Sequence, residues 1–442
     1  MPASTDSADN RPLEQLKFLS PSEVRQVAET FGAPVFVYDE QRIRDGVALL
    51  QQLPSAFGHT IRYSLKASPS AAVIRVFDDL GVHFDASSVW EVVRAVRAGV
   101  APERVLLTAQ EADFGSAELP ELIRRGLQFD AGSLQQLTEY GESFPGTTVS
   151  VRINPGFGSG LVRRLTSGGP DSSFGIWHEQ VAEVKAVAER HSLTVTRLHV
   201  HIGSGHHADV LLPAARRLLE IAQDFADVRA VDLGGGYRIS VMADDPEYDH
   251  SEWAGELASD LRLFAEATGR ALHMEMEPGT FLVANAGSIV AKVIDVVTTG
   301  DEGRRFVKIN AGLTEILRPS YYGSPHPLVA VDRQGELPPE GPLSDVAGHC
   351  CIAGDVLTTR SGSVEELSPV RLGAVEPGDY LVVERSGGYC AGMAMKNFNS
   401  YPEAPEVLRR PDGSFTLIRT RQTVDQLTAN EIVPDDLRKE PA

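Results

Sequence analysis

Apolar and polar positions along this chain follow a repeating unit from Ile61 onward: a short strand-like run, a turn, then an amphipathic helical stretch. The runs are Ile61–Ser64, Val82–Asp85, Val105–Thr108, Leu127–Asp130, Val149–Ile153, Leu198–Ile202, Ala230–Leu233 and Leu272–Met276. Helical periodicity lies between them, as in Ala71–Leu80, Val89–Ala98, Ala208–Asp227 and Trp253–Thr268. Eight strands alternating with helices predict an α/β fold with a (β/α)8 barrel. A doubly wound sheet competes, but the count of eight favours closure.

The pattern changes after Gly279. Ser288–Val297, Phe306–Asn310, Pro327–Val331 and Tyr380–Val383 are short and mostly β-branched, and Asp412-Gly413 between two apolar runs signals a hairpin. The expected organisation is a tail and short helix over 1–33, the barrel over 34–283, and a C-terminal all-β barrel or sandwich over 284–442. The strand near Val35 is a candidate to join that β domain. Met1–Arg11 and Val424–Ala442 are polar and read as loose ends.

Composition narrows the function. With 442 residues, two domains are expected, and 42% hydrophobic with 23% charged residues is ordinary for a soluble protein. A formal net charge of -20 argues against nucleic acid and anionic membrane as partners. No run approaches the roughly 20 apolar residues of a membrane span. Three cysteines, Cys350, Cys351 and Cys390, form neither a disulfide framework nor a metal-ligand spacing, which fits a reducing cytoplasm and no metal.

A barrel of this type carries its chemistry at the C-terminal ends of its strands. Those ends hold Lys66, Asp85, Arg152, His201, Gly234-Gly235-Gly236 and Glu277. A lysine where a buried strand gives way to a helix is costly unless paired or chemically used. The glycine run suits a phosphate approached by backbone N–H groups, or a plain tight turn. His201 taken alone is as consistent with a satisfied core histidine, and Asp85 with Arg152 as an ordinary buried ion pair.

The motifs Tyr63-Ser-Leu-Lys66-Ala, Phe84-Asp85-Ala-Ser-Ser88, His199-Val-His201-Ile-Gly-Ser204, Asp232-Leu-Gly-Gly-Gly236 and Glu277-Pro-Gly279 occur in that order. Arg318-Pro319, Cys351 with Asp355, Gly388-Tyr389 and Asn397 to Val407 follow. Together they resemble the fold type III pyridoxal-phosphate decarboxylases, the ornithine/diaminopimelate/arginine decarboxylase family, and its diaminopimelate branch above all. The resemblance runs from about Pro34 to Leu408. It implies pyridoxal 5'-phosphate as cofactor, bonded to Lys66, with His201 stacked on the ring. Ser204, Gly235, Gly236, Gly279 and Tyr389 would serve the phosphate, and Asp85 and Arg152 would support Lys66 and His201. Glu277 would sit beside the ring nitrogen and keep it protonated, a full electron sink suited to decarboxylation. Alanine racemase, of the same fold type, is expected to place an arginine there. Cys351 would protonate the carbanion from the second subunit of a homodimer with shared active sites, and Asp355 would fix its loop. Cys350 and Cys390 read as structural.

Two positions depart from the family pattern. Its Cys-Glu-Ser loop reads Cys351-Ile352-Ala353, and its Glu-Pro-Gly-Arg reads Glu277-Pro278-Gly279-Thr280. Arg318, Tyr322 and Tyr389 remain as substrate-binding candidates beside Thr280 and Ile352. The expectation is a decarboxylase of an amino acid or amino-acid conjugate with altered recognition of the distal group. The alternatives are a genuine meso-diaminopimelate decarboxylase of lysine biosynthesis and an inactive regulatory homologue, against which the retained Lys66, His201, Glu277, Cys351 and Tyr389 argue.

Overall fold

The computed structural model describes residues 12–160, 162–205 and 208–438; the expected tail Met1–Arg11 and the last four residues of the C-terminal end lie outside them. The strands in chain order are β1 (Val35–Asp39), β2 (His59–Ser64), β3 (His83–Ala86), β4 (Val105–Leu107), β5 (Gln128–Ala131), β6 (Thr148–Asn154), β7 (Ile176–Trp177), β8 (Thr194–His199), β9 (Ala230–Asp232) and β10 (His273–Met276). The second series is β11 (Gly287–Thr298), β12 (Arg305–Ile309), β13 (Leu328–Val331), β14 (Asp345–Ala347), β15 (Tyr380–Val383), β16 (Glu406–Arg409) and β17 (Phe415–Arg419).

β2, β3, β4, β5, β6, β8, β9 and β10 form a closed parallel barrel, with β5 pairing β6 and β10 pairing β2; the two-residue β7 only extends β6. The eight runs read from the sequence all become barrel strands, most within one or two residues. The exception is β8, which ends at His199 rather than Ile202. There the chain turns away: the Ile202 carbonyl accepts from Ser159 and Ser167 instead of a strand neighbour. Gly203 (φ +141) passes so close to the Ser159 carbonyl that a Cβ would lie 2.0 Å from it. The barrel helices Ala71–Asp79 and Val89–Arg97 present buried Val73, Ile74 and Phe77, and Val92 and Ala95, to the strands. No helix of the described residues is long and apolar enough to cross a membrane.

The second sheet runs β13-β15-β11-β1-β16-β17, with β12 on β11 and β14 on β12. β1 does join it, antiparallel to β11 (Val35↔Val290) and parallel to β16 (Phe36↔Glu406). The Asp412-Gly413 turn links β16 to β17, with Gly413 at φ +83 and Arg410 N–H donating to the Ser414 carbonyl at 2.8 Å. Ser20 and Glu23 make a capping box for the helix Pro21–Phe31, whose Val24 and Val27 pack with Val35, Val37, Val329 and Val382 into a second core.

Candidate active site

The C-terminal rim of the barrel collects the titratable strand ends. β2 ends at Ser64 and tightens into a single 3-10 turn, Leu65–Ala67. That turn buries Leu65 and Ala67 and leaves the Lys66 side chain 41% exposed at the rim. Lys66 Nζ lies 3.6 Å from Asp85 Oδ2 at the end of β3, and Ser64 Oγ donates to the same oxygen at 3.0 Å. Burial alone would lower the lysine's basicity; the charges of Asp85, Tyr389 and Glu277 outweigh it and hold the amine protonated.

Glu277 follows β10 directly and is 4% exposed. Its Oε2 faces His199 Nε2 at 3.4 Å, and its Oε1 has no partner among the described residues. Burial, then Asp232 and Asp85, push its carboxyl well above the usual range. His199 donates from Nδ1 to Asp130 Oδ2 at 2.8 Å when that nitrogen carries the proton. Burial would depress this imidazole, but Glu277 and Asp130 outweigh it and push it up to about 9. The charge of each group bears on the titration of the other. Asp232 gives Oδ1 to the Gly234 N–H at 2.9 Å, and burial raises it to about 6. His199, Asp232 and Glu277 have ligand atoms within 4.8 Å of one another. With Asp130 already on His199 Nδ1 and Lys66 beside them, the cluster is built to hold protons.

His201 lies two residues past β8, and its Nδ1 accepts the Gly235 N–H at 3.2 Å. The Gly235 amide, expected to face a phosphate, is thus engaged by the imidazole, and Gly236 follows it in the run. Gly235 must still be glycine, since a Cβ there would meet the Glu277 carbonyl at 2.2 Å. The Gly205 N–H donates to the Gly236 carbonyl at 2.8 Å, which draws the Ser204 loop against the glycine run. Arg152, near the end of β6, donates to the His201 carbonyl at 3.4 Å and lies 4.8 Å over the Phe174 ring.

The second sheet closes the rim. Tyr389, at φ +57, donates its N–H to the Ala67 carbonyl at 2.7 Å. Its hydroxyl lies 3.1 Å from where a Cβ on Gly279 would stand. The absence of that Cβ brings the phenol beside Lys66. Arg318, buried at the start of the helix Arg318–Tyr322, sits 5.9 Å over the Tyr389 ring. Tyr322 ends the same helix, and Thr280 follows Gly279 as the first residue of a helical turn.

Cys351 and Ile352 stand apart. Both are exposed on a loop, Ile352 at 49%. The Cys351 N–H is held by Asn399 Oδ1 at 2.8 Å. No hydrogen bond or ion pair among the described residues joins either to Lys66 or Glu277. Asp355 fixes the loop as expected, accepting from Cys350 N at 2.7 Å and Leu313 N at 2.9 Å. Cys350 and Cys390 are buried, and burial pushes their thiols up to about 12 and 11.

His199, Asp130 and Ser64 were not singled out from the sequence. His199 had one signal: it precedes His201 by two, the strand period that puts both on one side.

These residues fit pyridoxal phosphate. The unpartnered Glu277 Oε1 matches a ring N–H donor, and Lys66 reaches the same opening. Gly279 leaves a Cβ-sized space between Ala67 and Tyr389. A family model described as "Pyridoxal-dependent decarboxylase, pyridoxal binding domain" matches residues 43–284. The chain is 34% identical over 425 residues to a diaminopimelate decarboxylase of Escherichia coli strain K12, covering 94% of this chain and 97% of that one. It is 35% identical over 415 residues to that of Streptomyces coelicolor, covering 92% and 91%. A crystal structure of a diaminopimelate decarboxylase superposes with TM-score 0.85 at 33% identity, over 97% of this chain and 98% of that one. The chain thus belongs to the pyridoxal-dependent decarboxylases and is a pyridoxal-phosphate-dependent carboxy-lyase acting on amino acids.

Proposed function

We propose that the chain decarboxylates an amino acid whose α-carbon is brought to Lys66, and that diaminopimelate is the first substrate to test. The observation that carries the reaction type is Glu277, buried with one unpartnered oxygen beside the Lys66–Asp85 pair. Bound pyridoxal phosphate supplies the electron sink for the pair left behind when carbon dioxide departs. Glu277 would hold the proton of the ring nitrogen, with His199 and Asp130 behind it. Asp85 keeps the Lys66 amine placed, and His201, pinned by Gly235, presents its ring to the cofactor. Gly236, Ser204, Gly279 and Tyr389 would hold the phosphate. Cys351, exposed on its own subunit, reaches the site of a second copy in a homodimer and delivers the proton to the α-carbon.

The names of the relatives support diaminopimelate, and they give no support to the altered distal preference expected from the sequence. That second reading rests on Thr280 and Ile352 alone. A far-end ammonium stranded against isoleucine costs roughly 3–5 kcal/mol if nothing replaces the acid, on the order of 10²- to 10³-fold in turnover. Carbon dioxide release decides between them. Turnover of meso-diaminopimelate at roughly 1–10³ per second supports the first reading. A deficit of that size against another amino acid or conjugate supports the second. Loaded enzyme that releases carbon dioxide from no amino acid or conjugate overturns both.

A further inference from the structure

Three consecutive residues without side chains cannot hold their own turn, so the run Gly234–Gly236 needs backing from elsewhere. That backing is aromatic. Tyr237 donates its hydroxyl to the Gly234 carbonyl at 3.0 Å, folding back over the run it follows. Its ring stacks on Trp253, with 5.4 Å between centroids and 6° between planes. Both rings are 4% exposed, and Trp253 lies in the first turn of the long helix Ser251–Thr268. His250 meets the two rings edge-on at 6.0 and 6.2 Å, and Phe281 at 5.4 Å.

These contacts leave His250 one tautomer. An indole N–H donates and never accepts. Trp253 Nε1 lies 3.0 Å from His250 Nδ1, so Nδ1 is the acceptor. The proton is then on Nε2, which donates to the Arg238 carbonyl at 3.0 Å. His250 thus bridges the helix to the residue two past Gly236, and it does so only as a neutral ring. A proton on Nδ1 would set two N–H groups against each other. Burial holds this imidazole below its ordinary 6.5, against the pull of the Arg238 carbonyl and the Asp249 carboxylate. The rings packed on it, Tyr237, Trp253 and Phe281, bring no charge. Asp249 accepts from the Ser251 N–H at 2.8 Å, and the Arg238 guanidinium lies 4.8 Å over the Tyr248 ring.

We propose that His250 is a positioning residue for the cofactor's phosphate: as a neutral imidazole of fixed tautomer, it holds the Gly234–Arg238 turn in the shape that receives the anion. The inference rests on the assignment of the phosphate to Gly236 and Ser204 and deepens it. It makes cofactor affinity fall in acid through a residue that works by way of the backbone. The bridge is intact while the ring is neutral and is lost as pH falls below the imidazole's own value, which lies under 6.5.

The probes are pyridoxal 5'-phosphate and pyridoxal, which lacks the phosphate, titrated into cofactor-free protein from about pH 8 to about pH 5 and followed by absorbance. Wild type binds pyridoxal 5'-phosphate more tightly than pyridoxal. His250→Phe keeps a ring and loses both bonds. At pH 8 it binds pyridoxal 5'-phosphate about tenfold more weakly than wild type, and pyridoxal equally well. His250→Gln, whose amide accepts from Trp253 and donates to Arg238 without titrating, recovers most of the affinity. The ratio of wild-type to His250→Gln constants cancels the titrations of the phosphate and of Lys66. It moves about tenfold against wild type as pH falls to 5. Trp253→Phe keeps the stack on Tyr237 and frees Nδ1 for a proton, so its loss in acid is smaller. Equal weakening of both compounds in His250→Phe overturns the proposal, as does a wild-type to His250→Gln ratio that stays flat with pH. Wild type that holds pyridoxal as tightly as pyridoxal 5'-phosphate sinks the phosphate assignment and the proposal with it. Carbon dioxide release enters none of these constants, so a protein that meets them without turnover upholds the positioning and counts only against the reaction.

Discussion

Replacing His199 with glutamine tests the proton-holding unit beneath the rim. The side chain is 1% exposed, with Asp130 at 2.8 Å on one nitrogen and Glu277 at 3.4 Å on the other. Its imidazole rises from an ordinary 6.5 to about 9. At 1.36 kcal/mol per unit, that difference amounts to about 3 kcal/mol of folding stability. The folded value lies above the unfolded one. The stabilisation is therefore complete below pH about 6.5 and is lost as pH rises through about 9. Urea unfolding of cofactor-free wild type and His199→Gln from pH 6 to 9.5 measures it. Wild type should lose about 3 kcal/mol relative to the variant across that window. In the loaded variant, Glu277 loses the cationic neighbour that opposes its protonation. The turnover number should then fall on the order of 10²-fold, with a smaller change in KM. Parallel stability curves for the two proteins would refute the assignment of a proton to His199.

Three further outcomes are expected. Lys66→Ala should abolish the borohydride-sensitive absorption band of the loaded protein and nearly all activity; a cofactor found bonded to another lysine would displace the site. Gly235→Ala should lose cofactor binding with near-native circular dichroism, because its Cβ would press within 2.2 Å of the Glu277 carbonyl, and a variant that binds normally would show that the rim can shift. Mixing inactive Lys66→Ala and Cys351→Ala subunits should restore up to about a quarter of wild-type activity if sites are shared across a two-fold axis. No recovery after proven subunit exchange would mean that each site is built from one chain.

What the sequence disclosed follows from the range of each signal. Lys66, Asp85 and Glu277 were legible because a strand run and its terminating residue are adjacent in the chain. The partners behind Glu277 were not. Asp130 meets His199 only through the register of β5, β6 and β8, 69 residues apart. The end of β8 was misplaced by three residues because Val200 and Ile202 continue the apolar pattern after Ile202 has turned its carbonyl to the Ser159 loop. The engaged Gly235 amide was hidden for a similar reason, since its acceptor lies on a different strand end.

The placement of β1 between β11 and β16 has a consequence for how the protein is made. Asp39 and Arg409, 370 residues apart, close an ion pair at 3.0 Å across that junction. At about 5–20 residues per second, β1 leaves the ribosome roughly 20 to 70 s before its parallel partner exists. During that interval β1 has both edges bare until β11 emerges and one edge bare afterwards, and Val35 and Val37 lack the apolar cover of Val407. The barrel, complete by residue 276, can form in the meantime. The β1 edge is then a waiting template, open to a strand of another nascent chain. Aggregation during synthesis should therefore depend on β1, and a charge placed on Val35 or Val37 would trade solubility on the ribosome against the finished sheet.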